Sequence, residues 1–368
     1  MSATINQMMI ESSVARLFAD HSSRAQMLAF EAGEPPEALW ALLVANGPAH
    51  ALATEAADGI AATWVEAYPI FHALGYWQTP LPLAETIIAN LLLSAAGIAL
   101  PEGAIALIED GVDGEIEVLP HAVAPRLTGQ LPRVAWAGAC RWALVSLTDQ
   151  RIALIDLHDS ATAQVATHPN IAGEPTGAVT LTEARCAAIA PNPLPALRQP
   201  VRALGALARS VMLVGALEWV LEQTVQYAND RVQFGRPIGK NQAIQQQLAL
   251  LAGEVAAARM AALVACAGAP DVNHIDAGPQ ALFGIAVAKI RTSEAAGRAA
   301  AIAHQVHGAM GFTHEHSLNF ATRRLWAWRE DSGSDAWWAQ RLGAAAIAGR
   351  AAGFWQGLTT QQFDGLCP

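Results

Sequence analysis

The sequence predicts an α+β protein that is mostly α: an N-terminal helical domain, a small antiparallel β-barrel or sandwich domain, and a C-terminal four-helix bundle. Three observations carry this. Long stretches at both ends place apolar residues at three- and four-residue spacing, the period of a helix face. The middle holds short apolar runs bounded by Gly, Asp and Pro, the pattern of strands. The 368-residue chain is 53% hydrophobic and only 15% charged. That length suits two or three domains, and so little charge implies that much surface is buried in an oligomer.

Residues 1–98 read as the first helical domain. "EALWALLVAN", "ALATEAADGIAATWVEAYPIFHALG" and "LAETIIANLLLSAAG" keep helical spacing, glycines end two of them, and the prolines of "YWQTPLP" interrupt the run. Residues 99–195 read as the β domain, with strands in "GAIALIED", "GEIEVLP", "RWALVSLTD", "QRIALIDL" and "GAVTLTE". Residues 196–368 read as the bundle. Its helices lie in 201–230, 241–267, 276–308 and 334–358, and their recurrent small residues permit close helix contact.

The net charge of −10 excludes a generally basic surface for nucleic acid, while a local basic pocket for a phosphate stays open. The four cysteines, Cys140, Cys186, Cys266 and Cys367, form no CxxC pair and read as reduced packing residues of a cytoplasmic protein. The N-terminus lacks the basic start and apolar core of a signal peptide. No membrane span is expected, since the nearest candidate, "LVGALEWVLEQTV", carries Glu218 and Glu222.

Two stretches carry chemistry. In "NDRVQFGRPIGKNQAIQQQLA", residues 229–249, a long helix stops and a hairpin intervenes before the next helix. An arginine at that corner, Arg231, suits a phosphate or pyrophosphate, because its fork makes paired charge-assisted bonds. Gln233 adds a neutral donor and Phe234 a packing face. The competing reading is a surface turn with an arginine at a helix C-terminus. In "AHQVHGAMGFTHEHSLNFATRRLWAWRED", residues 303–331, Gln305 sits near a helix end, and Gly308 and Gly311 admit close approach of a ligand to the backbone. His304 and His307 can share a helix face, but the set a metal needs is incomplete, so no metal is expected.

Together the two stretches resemble the acyl-CoA dehydrogenase family. The first is similar to that family's Arg-x-x-Phe-Gly-x-x-Ile hairpin followed by Gln. The second is similar to its Gln-x-x-Gly-x-x-Gly segment with a following helix and Arg. The resemblance is strongest over residues 196–345, and the helix–strand–helix order agrees with it. It implies an FAD cofactor lying across a subunit interface. Arg231, Gln233, Phe234 and Ile238 would reach the FAD of the neighbouring subunit. Gln305, Val306, Gly308 and Ala309 would help hold its adenosine and pyrophosphate. The implied partners are an acyl-CoA substrate, a second acyl-CoA dehydrogenase-like chain or another copy of this one, and an electron-transfer flavoprotein.

Two family features are missing. No Thr-Glu-Pro followed by Gly-Ser-Asp is evident in the β domain, where the family binds the flavin ring. The carboxylate base is also absent: the position after the "RR" segment falls on Ser332, and the alternative position on the long helix falls on about Gly205. Glu330 and Asp331 are adjacent candidates, with helix-terminal charges or ion-pair partners as the competing reading. The sequence resembles the shorter, base-less chain of heteromeric acyl-CoA dehydrogenases of the steroid side-chain type. A heterotetramer is then implied, with Trp136, Trp142, Trp326 and Trp328 as candidates to fill the vacated interior. A self-sufficient homomer using Glu330 or Asp331, and a non-catalytic homologue, are the alternatives.

Overall fold

The structure is a computed structural model that describes residues 2–275, 278–313, 315–348, 350–361, 363 and 366. Five helices come first: α1 (Ser2–His21), α2 (Arg24–Glu31), α3 (Glu37–Ala45), α4 (Trp64–Tyr76) and α5 (Leu83–Ala95). Helix α4 begins where it does because Thr63 and Glu66 form a capping box, each side chain bonding the other's backbone N–H. Residues 51–75 are therefore not one helix. Short 3₁₀ turns fill Pro48–His50 and Glu55–Ala57, and Gly47, Asp58 and Ala61 adopt positive φ. Helical spacing of alanines did not outweigh the Gly-Pro and Asp-Gly breaks there.

Strands β1 (Ile105–Glu109), β2 (Glu115–Leu119), β3 (Arg126–Ala135), β4 (Trp142–Ser146), β5 (Arg151–Asp156), β6 (Ala163–Pro169) and β7 (Pro175–Pro191) follow. They form a seven-stranded sheet, ordered β1-β4-β5-β7-β3-β2, with β6 paired to β7. The 17-residue β7 pairs with β3 and β6 through its first part and with β5 through its last. Register shifts in the β3–β7 and β5–β7 ladders let this long strand bend. All named pairs are antiparallel except β1–β4. Strands β3 and β6 escaped the sequence reading because Gly129, Pro132 and a mostly exposed β6 mask their alternation.

The third part begins with α6 (Pro200–Asp230), about 46 Å long at 1.5 Å per residue. A two-stranded hairpin, β8 (Val232–Gln233) and β9 (Arg236–Pro237), leads into α7 (Gln242–Gly268). Then come α8 (Pro279–His307), α9 (Leu318–Glu330), α10 (Asp335–Ala348) and α11 (Arg350–Thr360). The region expected to hold a fourth bundle helix thus holds α10 and α11. Helix α6 crosses α4 at van der Waals range. A Cβ on Gly75 would lie 1.8 Å from the Met212 carbonyl oxygen, and one on Gly215 2.1 Å from that of His72, so only glycine fits at this crossing.

Both α6 and α7 are long and apolar enough to cross a membrane by length and composition, more so than the sequence reading allowed. They differ in what covers them. In the most apolar window of α6, 78% is buried within the protein, against 28% for α7. Helix α7 exposes Leu250, Met260 and Val264, the kind of apolar face that a partner chain covers.

Candidate functional site

The hairpin after α6 and the end of α8 meet. Arg231 leaves the helix with an extended backbone, and the turn of the hairpin places Phe234 at φ 51° and Gly235 at φ 79°. Two consecutive positive φ values are the demand of a tight hairpin turn. Phe234 is fully exposed, and Arg231 and Gln233 are exposed beside it. Ile238 and Val306 are buried instead, in a small cluster with Ala228 that also packs Tyr227, Ile244, Leu248 and Ile302. The Tyr227 ring stacks on His307 at 4.3 Å and its hydroxyl donates to the His307 carbonyl at 3.3 Å. The two sequence-separated motifs are joined by this core. Around it Arg231, Gln233, Phe234, Gln305, Gly308 and Ala309 remain exposed. Gly308 adopts φ 60°, ψ −142°, a conformation open essentially to glycine alone.

The histidines here serve packing. His307 Nδ1 donates to the Ala303 carbonyl at 2.8 Å, and His304 Nε2 bonds Thr322 Oγ1 at 3.0 Å while its ring stacks on Phe312 at 4.1 Å. Burial pushes His307 down to about 4. No group of three potential metal ligands occurs among the described residues. His314 and Cys367 lie outside them. Cys140, Cys186 and Cys266 are buried free thiols.

A second feature is a pocket of about 340 Å³ at the other end of α6, between α5, the β1–β2 loop, β3 and the α9–α10 linker. Gly205 and Ser332, the two positions where the resemblance placed a base, face each other there: a Cβ on Gly205 would lie 2.5 Å from Ser332 Oγ. Asp331 lines the pocket but is claimed by arginines, with Arg133 at 2.9 Å and Arg209 at 3.2 Å. Arg209 also binds buried Glu85 at 2.5 Å. Glu330 contacts Arg329 at 3.3 Å, and its side chain is 54% exposed. Lys289, fully buried, fixes this linker by donating to the carbonyls of Trp328 (3.2 Å) and Arg329 (2.6 Å), the last turn of α9.

The same pocket contains Glu109 and Asp113 from the β1–β2 connection. Burial raises Glu109 to about 8 and Asp113 to about 6. Glu109 Oε2 accepts the Arg202 N–H at 2.8 Å in the first turn of α6. Every backbone N–H from Glu109 to Asp113 is bonded inside the chain. Asp113 Oδ2 takes that of Glu109 at 2.8 Å, and carbonyls of Ser146, Gly114 and Glu109 take the other four. Asp110 spans the loop, accepting from Ile116 N (2.8 Å) and Thr148 N (3.2 Å).

Of the four tryptophans expected to fill the interior, two do. Trp328 is buried and donates to the Glu174 carboxylate at 3.1 Å, and Trp136 is buried beside Phe30 with φ 63°. Trp142, the first residue of β4, and Trp326, stacked on His304 at 5.7 Å, are only half-buried. The sequence reading missed Glu85, Arg209, Glu109, Asp113 and Arg133. A signal was present: Glu85 and Arg209 are charges inside apolar helical runs, which rarely occurs without a buried partner.

Known proteins resemble the chain in sequence and in fold. Residues 203–346 match the family model described as acyl-CoA dehydrogenase, C-terminal domain. The chain is 29% identical to acyl-CoA dehydrogenase IpdE2 of Mycobacterium tuberculosis, over 86% of this chain and 89% of that protein. In structure it resembles the Tcur3481–Tcur3483 steroid acyl-CoA dehydrogenase, with TM-score 0.83, 23% identity, and coverage of 95% of this chain and 99% of that one. It also resembles the ChsE4–ChsE5 complex of Mycobacterium tuberculosis, with TM-score 0.81, 20% identity, and coverage of 93% and 97%.

Proposed function

We propose that the chain is a member of the acyl-CoA dehydrogenase family, which its sequence matches support, and that it serves there as the base-less subunit of a heteromer that holds the FAD of its partner. One observation carries this reading. Both positions available for the base converge on one point of one pocket, and they hold Gly205 and Ser332. Removing the α-proton of an acyl-CoA needs a carboxylate poised in that space. Asp331 is neutralised by two arginines, and Glu109 caps α6.

Two further features favour the reading. The β1–β2 loop has no backbone N–H from Glu109 to Asp113 left to offer a flavin ring. The exposed hairpin, by contrast, suits a bound dinucleotide. The Arg231 guanidinium has no partner among the described residues, Phe234 offers a ring face, and Gly308 lets a phosphate approach the backbone. FAD, when bound, supplies the hydride acceptor for substrate Cβ. This chain would bind and orient it and shield it from water. The apolar face of α7 is a surface for the oligomer. An electron-transfer flavoprotein as acceptor, a steroid-type acyl-CoA as substrate and a cytoplasmic setting complete the proposal.

The test is the FAD-to-chain ratio of the protein purified alone and with a sister chain of the same family. The expected result is near zero alone and about one per pair of unlike chains. About one FAD per chain alone would overturn it. A second reading rests on Glu330, the exposed carboxylate on the pocket rim: a homomer could use it as base. Glu330→Gln should leave turnover of the assembled enzyme unchanged. A loss of several orders of magnitude with flavin retained would move the base to this chain.

A further inference from the structure

We propose that the α9–α10 linker, residues 331–334, is a proton-operated latch: it closes over the buried amine of Lys289, and it opens when that amine takes up a proton and moves to water. The linker forms one wall of the pocket of about 340 Å³ through Asp331, Ser332 and Gly333, so the latch governs access to that space.

The partners of Lys289 suit a neutral amine. Its side chain, on α8, is fully buried. Nζ lies 3.2 and 2.6 Å from the carbonyl oxygens of Trp328 and Arg329, and 3.1 Å from Ser293 Oγ. A neutral amine donates one N–H to each carbonyl, and its lone pair accepts the Ser293 hydroxyl. The closed state therefore keeps all three contacts when the proton leaves. The ammonium fares worse. Among the described residues no carboxylate is in ion-pair contact with it. Those that face it are committed elsewhere: Asp331 of the linker to Arg133 and Arg209, and Glu330 of α9 and Asp335 of α10 to Arg329. Arg209 of α6 adds repulsion. A buried cation without a counter-ion is unfavourable, and burial lowers this amine to about 7.

The linker itself carries strain. Ser332 (φ 55°) and Gly333 (φ 92°) are consecutive left-handed residues, and the Cβ of Ser332 disfavours that conformation. The turn is held by the Ser332 carbonyl, which accepts from Trp338 Nε1 at 3.0 Å, and by the two arginines on Asp331. Opening relaxes the backbone and hydrates the lysine, which regains its ordinary value of 10.5. The open state thus binds the extra proton between about 7 and 10.5. Opening is favoured as pH falls through that range, and the effect is complete below it.

The experiment is hydrogen–deuterium exchange of the full chain between pH 6.5 and 9. Rates are corrected for the intrinsic pH dependence of amide exchange and read as the open population of the peptide spanning residues 328–336. In the unmodified chain that population should rise by at least about tenfold from pH 9 to pH 7. In Lys289→Met, which fills a similar volume, the rise should disappear. Glu109 and Asp113, across the pocket, are raised to about 8 and about 6. Their hydration on opening acts in the opposite sense, so they cannot produce the rise. A level profile in the unmodified chain would overturn the proposal, whether or not Lys289→Met folds. So would an equal rise in Lys289→Met, or an equal rise in peptides from the middle of α6, which would make the opening global unfolding.

Discussion

Near the start of α6, Arg209 is buried between Glu85 and Asp331; at its end, Arg231 stands in solvent without a partner. The same residue type, on or just beyond one helix, is used in two ways. In the pocket, charges pair with one another and consume the loop's donors, so the space is closed by the chain's own chemistry. At the hairpin a small apolar core holds the backbone, and the polar and aromatic tips are left over. A site that binds something else must contain such unspent groups. The difference shows which end of α6 keeps polar and aromatic groups free for the proposed ligand.

The contrast can be broken most forcefully at Arg209. Arg209→Met should cost about 3–5 kcal/mol, because Glu85 would keep a buried, uncompensated charge while Asp331 retains only Arg133. Urea denaturation measures this, and a loss under about 1 kcal/mol would mean the network is no more than surface-like. Replacing Glu85 by Leu as well should recover much of the loss.

The next effect is one of pH. The folded-state value of Glu109, about 8, lies above its ordinary 4.5. The native state therefore binds the extra proton between those values. The favourable contribution is complete below about 4.5 and is lost as pH rises through 8. Wild type minus Glu109→Gln stability should decline from pH 5 to pH 8. A flat difference would show that the carboxyl ionises freely. Taking the difference matters, since His307, pushed down to about 4 by burial, acts in the opposite sense between 4 and 6.5.

The smallest effect on stability belongs to the hairpin. Arg231→Ala and Phe234→Ala should change unfolding free energy by no more than about 0.5 kcal/mol. In the assembled complex each should still lower FAD retention on gel filtration. Large destabilisation with full FAD retention would reverse the roles assigned to the two ends.

Much of the fold was legible because its signals are local. The period of apolar residues marked α5, α6, α7 and α8, and the Gln-Phe-Gly and Arg-Pro-Ile-Gly turns marked the hairpin. The strands of β4 and β5 were readable for the same reason, whereas β3, carrying Gly129 and Pro132, was not. The residues proposed to clamp a flavin come from two motifs, each legible in its own stretch. That Ile238 and Val306 pack inward while their neighbours face out required the helix-end geometry.

What the sequence by itself determined is the order of helices and strands, the two motifs, and the lack of a carboxylate at residues 205 and 332. Each depends on residues near one another in the chain. Only the tertiary structure decided that these two positions touch, that Glu85 meets Arg209 across 124 residues, and that Arg133 meets Asp331 across 198. A charged side chain in an apolar run announces that it needs a partner. It carries no information about which, because Coulomb attraction depends on distance in space, and that distance is set by how α5, α6, β3 and α9 pack.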